Sequence, residues 1–228
     1  MSCSSSLIDI SDPLVLDTSV LINLHACKNG ERILMAIPND VVVSEIVAGE
    51  LEHETSRRNG ELGFLHALVT GGIVTLTTMT DAEYEIFREL TSTSSSLDDG
   101  EAATIAIAAA RHFLPVIDER RGRIRASALM KARSPAWSLD IFRHPMVIAV
   151  LRDQSAVEVL YLALRDGRMR IPLESGDGVI ALVGMERSRD CTCLPGYRDR
   201  FFGTHKKSTE AETTAAETTA IGNLGTSG

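Results

Sequence analysis

The chain has 228 residues, 44% hydrophobic but only 4% aromatic, and a formal net charge of −8. That length allows one large domain with appendages, and an aliphatic, alanine-rich core suits helices packed on a small sheet. So acidic a balance argues against a general nucleic-acid coating protein, but not against an enzyme whose site is itself a set of carboxylates.

In chain order, the opening stretch MSCSSSLIDISDP has neither a basic nor an apolar region, so no leader is expected and the protein reads as cytoplasmic. Residues 14–17 predict a strand, and 18–27 a helix capped by Thr18 or Ser19. Residues 31–37 predict a short helix stopped by Pro38, and 41–43 a β-branched strand. Ser44 opens SEIVAGELEHETSRR, where Ile46, Val47 and Leu51 fall at helical spacing. A helix over 61–69, a strand over 73–78 and a helix over 81–90 follow, then a polar loop over 91–96. LDDGEAATIAIAAARHF predicts a strong helix whose acidic start suits the positive end of the helix dipole. Residues 114–118 predict a strand and 120–133 a basic helix. This βα alternation with apolar strands predicts a parallel sheet covered by helices.

Residues 137–170 read as mainly helical, with AVEVLYLALRDGRM the clearest amphipathic piece, while 171–203 give no clear element. From Thr204 the chain becomes low in complexity, with the tandem AETTAAETTA, and too little apolar surface to fold is expected there. The expected organisation is therefore a domain over 13–170, an unassigned extension over 171–203 and a disordered tail over 204–228. The apolar run 102–110, broken by Thr104, is far short of a membrane span, so no membrane contact is expected. Cys3, Cys27, Cys191 and Cys193 show no disulfide spacing, and the Cys191/Cys193 pair lacks the second pair that a structural zinc site wants.

Carboxylates carry the chemical signal. In an open parallel sheet, ligands bind beyond the carboxyl ends of the strands. Two predicted strands end there in an acid, Asp17 and Asp118, and two helix starts facing the same rim carry Glu50 and Glu101, the latter after Asp98 and Asp99. Each has a bland reading, as a helix cap, a solvated face or a first-turn acid. Together they form a concentration of like charge that a hard cation such as Mg²⁺ or Mn²⁺ would relieve. Such an ion lowers the pKa of a bound water and neutralises phosphoryl charge, the equipment for phosphodiester hydrolysis. The six cations between 120 and 133, among them Arg120, Arg121, Arg123 and Arg125, suit either phosphate contact or a solvated helix.

LDTSVLINL, VAGEL, GEAATIAIA and VIDERRGRIRA resemble, in that order, the signature segments of the PIN-domain nucleases, closest to the toxin-like bacterial branch. The resemblance covers about 13–133, with helices to about 170 completing the fold. It implies a three-layer α/β/α sandwich with a central, mostly parallel sheet, followed here by a C-terminal helical extension. It further implies an endoribonuclease that cleaves single-stranded RNA by a metal-activated water. By motif, Asp17, Glu50, Glu101 and Asp118 become the catalytic, metal-binding quartet, and Thr18 or Ser19 supports Asp17. Asp99 competes with Glu101 for the third place, and Glu119 with Asp118 for the fourth. A small antitoxin protein and a homodimer are the partners that the resemblance implies besides RNA. The alternative is an inactive PIN-like scaffold that binds RNA or protein.

Overall fold

The computed structural model describes residues 5–92, 97–131 and 133–202. The polar stretch 93–96 and the low-complexity tail lie outside the described residues. Four parallel strands form one sheet in the order β3-β2-β1-β4, namely β1 (Leu14–Leu16), β2 (Val41–Ser44), β3 (Thr75–Thr77) and β4 (Leu114–Val116). In register, Leu14 faces Val41 on one side and Leu114 on the other. β1, β2 and β4 are buried throughout, as expected of unbroken apolar strands covered on both faces, whereas β3 is an exposed edge. Pro115 has no N–H to give, yet it sits in β4, whose far side, among the described residues, is closed by the single residue Ala136. There Ala136 accepts from the Ile117 N–H at 3.0 Å and donates to the Pro115 carbonyl at 2.9 Å.

Helices α1 (Thr18–Ala26), α2 (Gly30–Ala36), α3 (Glu45–Glu50), α4 (Glu54–Asn59) and α5 (Glu61–Thr70) precede β3. Next come α6 (Asp81–Thr91) and α7 (Asp99–Arg111), then β4 and α8 (Arg120–Met130). α7 lies against β1, β2 and β4 with α6 and α8 on its flanks, while α1 packs with α2, α5 and the later helix α11 (Asp153–Arg165). The result is an α/β/α sandwich. Its core is aliphatic: Ile105, Ile117, Ala102 and Ala126 join α7 to β4 and α8 beneath Leu90 and Leu97.

Three elements depart from the sequence reading. Asp17 itself, not Thr18 or Ser19, caps α1, since its carboxylate accepts from the Ser19 N–H at 3.3 Å. The run from Ser44 is two helices, α3 and α4, interrupted at Leu51–His53. The basic helix stops at Met130, so Arg133 lies outside it and pairs with Asp12 at 3.0 Å.

Beyond α8, α9 (Ser138–Phe142), α10 (Pro145–Leu151) and α11 lead into a short 3₁₀ turn, α12 (Gly176–Val183) and α13 (Met185–Ser188). Residues up to Pro195 belong to the same compact unit as the sheet, so the described part of 171–195 is helical and built onto α11. The described start of a second unit holds α14 (Tyr197–Phe202), where Tyr197 meets the rings of Phe201 and Phe202. Among the described residues no helix is long and apolar enough to cross a membrane.

Candidate active site

The carboxyl ends of β1 and β4 are neighbours, and each delivers an aspartate. Asp17 follows β1 directly, is 4% exposed, and accepts from the Ser19 hydroxyl at 2.7 Å. Burial pushes its pKa up to about 7, against the lowering effect of Ser19, and Asp98 raises it further. Glu101 sits in the first turn of α7, also 4% exposed, and its pKa is pushed up to about 8 by burial, then by Asp98 and Asp17. One of its oxygens, Oε1, is buried without a hydrogen-bond partner. α8 closes over it at Gly122, where a Cβ would lie 2.9 Å from Oε1 and 3.0 Å from Ile117 Cγ2. Asp98 is exposed and caps α7, accepting from the Glu101 N–H at 2.8 Å. Asp17, Asp98 and Glu101 thus form one electrostatically coupled group.

The other two members of the expected quartet are each fixed by hydrogen bonds of their own. Glu50, at the end of α3, accepts from the Thr18 hydroxyl and from the Gly100 N–H at 2.7 Å. Gly100 leaves room for this contact, since a Cβ there would lie 2.8 Å from the Glu50 carboxyl carbon and the carboxylate would have to move. Asp118 is buried and fixed through both oxygens. Its Oδ1 accepts from the Ser138 N–H at 2.8 Å and its Oδ2 from Asn23 Nδ2 at 2.9 Å. Burial pushes its pKa up to about 6 while Ser138 and Arg123 pull it down.

Among the described residues, no group of three His, Cys, Asp and Glu side chains is arranged to hold a metal ion as it stands. The donor chemistry nevertheless fits a hard cation. Asp17 and Glu101 are oxygen donors whose burial disfavours charge, and the orphaned Oε1 of Glu101 is an atom that such an ion would satisfy. Asp99 is exposed, in the first turn of α7. Glu119 pairs instead with Arg170.

The arginines divide. Arg120 and Arg121 stand exposed on the first turn of α8, and the charges of Arg121 and Arg170 oppose the rise at Glu101. Arg123 corrects the expectation of phosphate contact: it donates to the carbonyls of Ile117 (2.8 Å), Ala136 (2.7 Å) and Pro135 (2.6 Å), and its guanidinium lies 3.8 Å from the Trp137 ring centroid. It fastens the chain after α8 to the end of β4. Arg125 is half-buried, its Nε lacking a partner, and so is poorly presented to a ligand.

A family model described as a PIN domain matches residues 13–130, just over half of the chain. The chain belongs to the PIN-domain family. PIN domains are generally nucleases, hydrolases acting on nucleic acid. No curated protein and no solved structure matches the chain at a significant level.

Sequence reasoning missed Asn23, Ser138, Asp98's place in the coupled group, and Arg170. Asn23 had a signal, a lone amide in the apolar stretch VLINL, which a buried helix face tolerates only with partners. Ser138 and Arg170 had none, since both act from beyond the PIN-matched segment.

Proposed function

We propose that this PIN domain is an endoribonuclease that hydrolyses phosphodiester bonds in single-stranded RNA with the help of Mg²⁺ or Mn²⁺. The observation that carries the reading is the pair Asp17 and Glu101, two buried carboxylates with raised pKa at the end of β1 and the start of α7, one oxygen of Glu101 lacking a hydrogen-bond partner. PIN-domain nucleases typically use divalent metals. When bound, the ion acidifies a water and offsets charge on the phosphoryl oxygens.

The protein's own residues do the rest. Asp17 and Glu101 would hold the ion, with Asp98 adding negative charge at the mouth. Ser19 fixes the Asp17 carboxylate through its hydroxyl, and Thr18 and Gly100 hold Glu50 ready beside it. Asp118, clamped by Asn23 and Ser138, keeps a fixed acid at the end of β4. Arg120 and Arg121 offer charge to the backbone phosphates at the rim. On the resemblance to the toxin-like branch, the proposal extends to a toxin held inactive by a small antitoxin protein.

The test is cleavage of mixed total RNA with Mg²⁺, with Mn²⁺ and with EDTA, alongside Asp17→Asn. Metal-dependent fragments with 5′-phosphate ends that vanish in the variant are expected, with single-stranded DNA as the comparison substrate. Activity that survives Asp17→Asn refutes the assignment. Absence of cleavage together with a melting temperature indifferent to Mn²⁺ favours the inactive scaffold.

A further inference from the structure

Residues 167–171 leave α11 and lie beyond the segment that matches the family. They come down onto α1 at one place. A Cβ on Gly167 would lie 2.7 Å from Asn23 Oδ1, 3.0 Å from Asn23 Cα and 2.8 Å from the Ala163 carbonyl oxygen. The glycine therefore lets this backbone rest on the residue that holds Asp118. Burial then alternates: Met169 and Ile171 are buried, and the Met169 N–H donates to the Ala163 carbonyl at 3.0 Å, while Arg168 and Arg170 face outward. Two buried anchors fix the stem of Arg170, and its guanidinium pairs with Glu119, the residue between Asp118 and α8.

That pair contributes little to the fold, because its side chains are 53% and 38% exposed and water competes for both. The seating of the segment, not the ion pair, brings Arg170 to the rim. A polyanion approaching Asp17, Asp98 and Glu101 meets net repulsion unless cations flank its path. Arg123 cannot serve, being spent on three carbonyls. A guanidinium fork suits a phosphate, and Arg170 meets Glu119 through Nη1.

We propose that Arg170 is a substrate-binding residue, which exchanges its contact with Glu119 for a backbone phosphate of the RNA beside the acidic site. The proposal rests on the reading of this site as a ribonuclease. It adds to the PIN-matched segment a phosphate contact from the stretch that follows α11.

The test measures binding of a fluorescently labelled single-stranded RNA oligonucleotide by anisotropy across a salt series, with Ca²⁺ in place of Mg²⁺. The full chain is compared with Arg170→Ala, Arg170→Lys, Glu119→Gln and the control Arg187→Ala, an exposed arginine paired with Glu158. Arg170→Ala should weaken binding roughly 5- to 10-fold and reduce the slope of log affinity against log salt by about 1. Arg170→Lys should keep the slope, Glu119→Gln should tighten binding, and Arg187→Ala should change neither. Should Arg170→Ala fail to fold, Arg170→Lys and Glu119→Gln decide: an unchanged affinity in Glu119→Gln overturns the proposal. RNA binding and cleavage by the parent protein with no change in Arg170→Ala overturns the role of Arg170 and leaves the nuclease standing. A parent protein that neither binds nor cleaves RNA overturns both.

Discussion

Replacing Glu101 by glutamine should stabilise the metal-free protein at alkaline pH while leaving it nearly unchanged at mildly acidic pH. Glutamine keeps the shape of the side chain in the space closed by Gly122 but cannot ionise. In the native protein the Glu101 pKa is pushed from 4.5 to about 8, mainly by burial and then by Asp98 and Asp17. A carboxyl with a raised folded-state pKa binds its proton more tightly when folded. Stability therefore falls as pH rises from the unfolded value near 4.5 towards 8, and is flat beyond. At about 1.4 kcal/mol per tenfold change in the proton equilibrium, the upper bound is about 5 kcal/mol. Water reaching the rim and the share carried by Asp17 reduce this to roughly 2–3 kcal/mol. Urea unfolding in EDTA at pH 5 and pH 8.5, for both proteins, measures it. The glutamine variant should gain those 2–3 kcal/mol only at the higher pH, about a factor of 30 to 150 in the folding equilibrium. A difference that does not change with pH, or a variant less stable at pH 8.5, refutes the reasoning. Mn²⁺ should reverse the ranking, since it needs the ionised carboxylate.

Asn23→Ala removes the donor from Asp118 Oδ2 and Ser138 at once, leaving a buried carboxylate short of a partner; a loss of about 1–3 kcal/mol is expected by denaturant unfolding. Gly100→Ala drives a Cβ into the Glu50 carboxylate; the Mn²⁺-dependent rise in melting temperature should shrink while the helix content by circular dichroism stays within a few per cent. Arg123→Lys cannot reproduce three carbonyl contacts and the stacking on Trp137, so it should cost about 2–3 kcal/mol of stability yet leave the salt slope of RNA binding as it was.

The sheet, and the place of Asp17 and Asp118 at its carboxyl edge, were legible because strand and acid adjoin in the chain, as VLD and VID. The break between α3 and α4 was not legible. Ile46, Val47 and Leu51 keep helical spacing through it, and the chain turns where Glu50 is engaged by Thr18 and Gly100, residues 32 and 50 positions away. The basic helix showed its charge but not its partners. Arg123 and Arg121 look alike in sequence, and only the distant Ala136 and Trp137 separate a fastening arginine from a rim arginine. Residues 171–195 resisted assignment because Gly176, Gly178 and Gly184 interrupt any periodicity, and their helices depend on packing against α11.

The one-residue bridge at Ala136 bears on how this protein can be dissected. A fragment ending at residue 130, where similarity to the family stops, would strip the outer side of β4 and remove the Ser138 clamp on Asp118. It would also expose a sheet edge capable of pairing with other chains. Such a fragment should aggregate rather than behave as a minimal nuclease. The segment that defines kinship stops short of residues that finish both the sheet and the site.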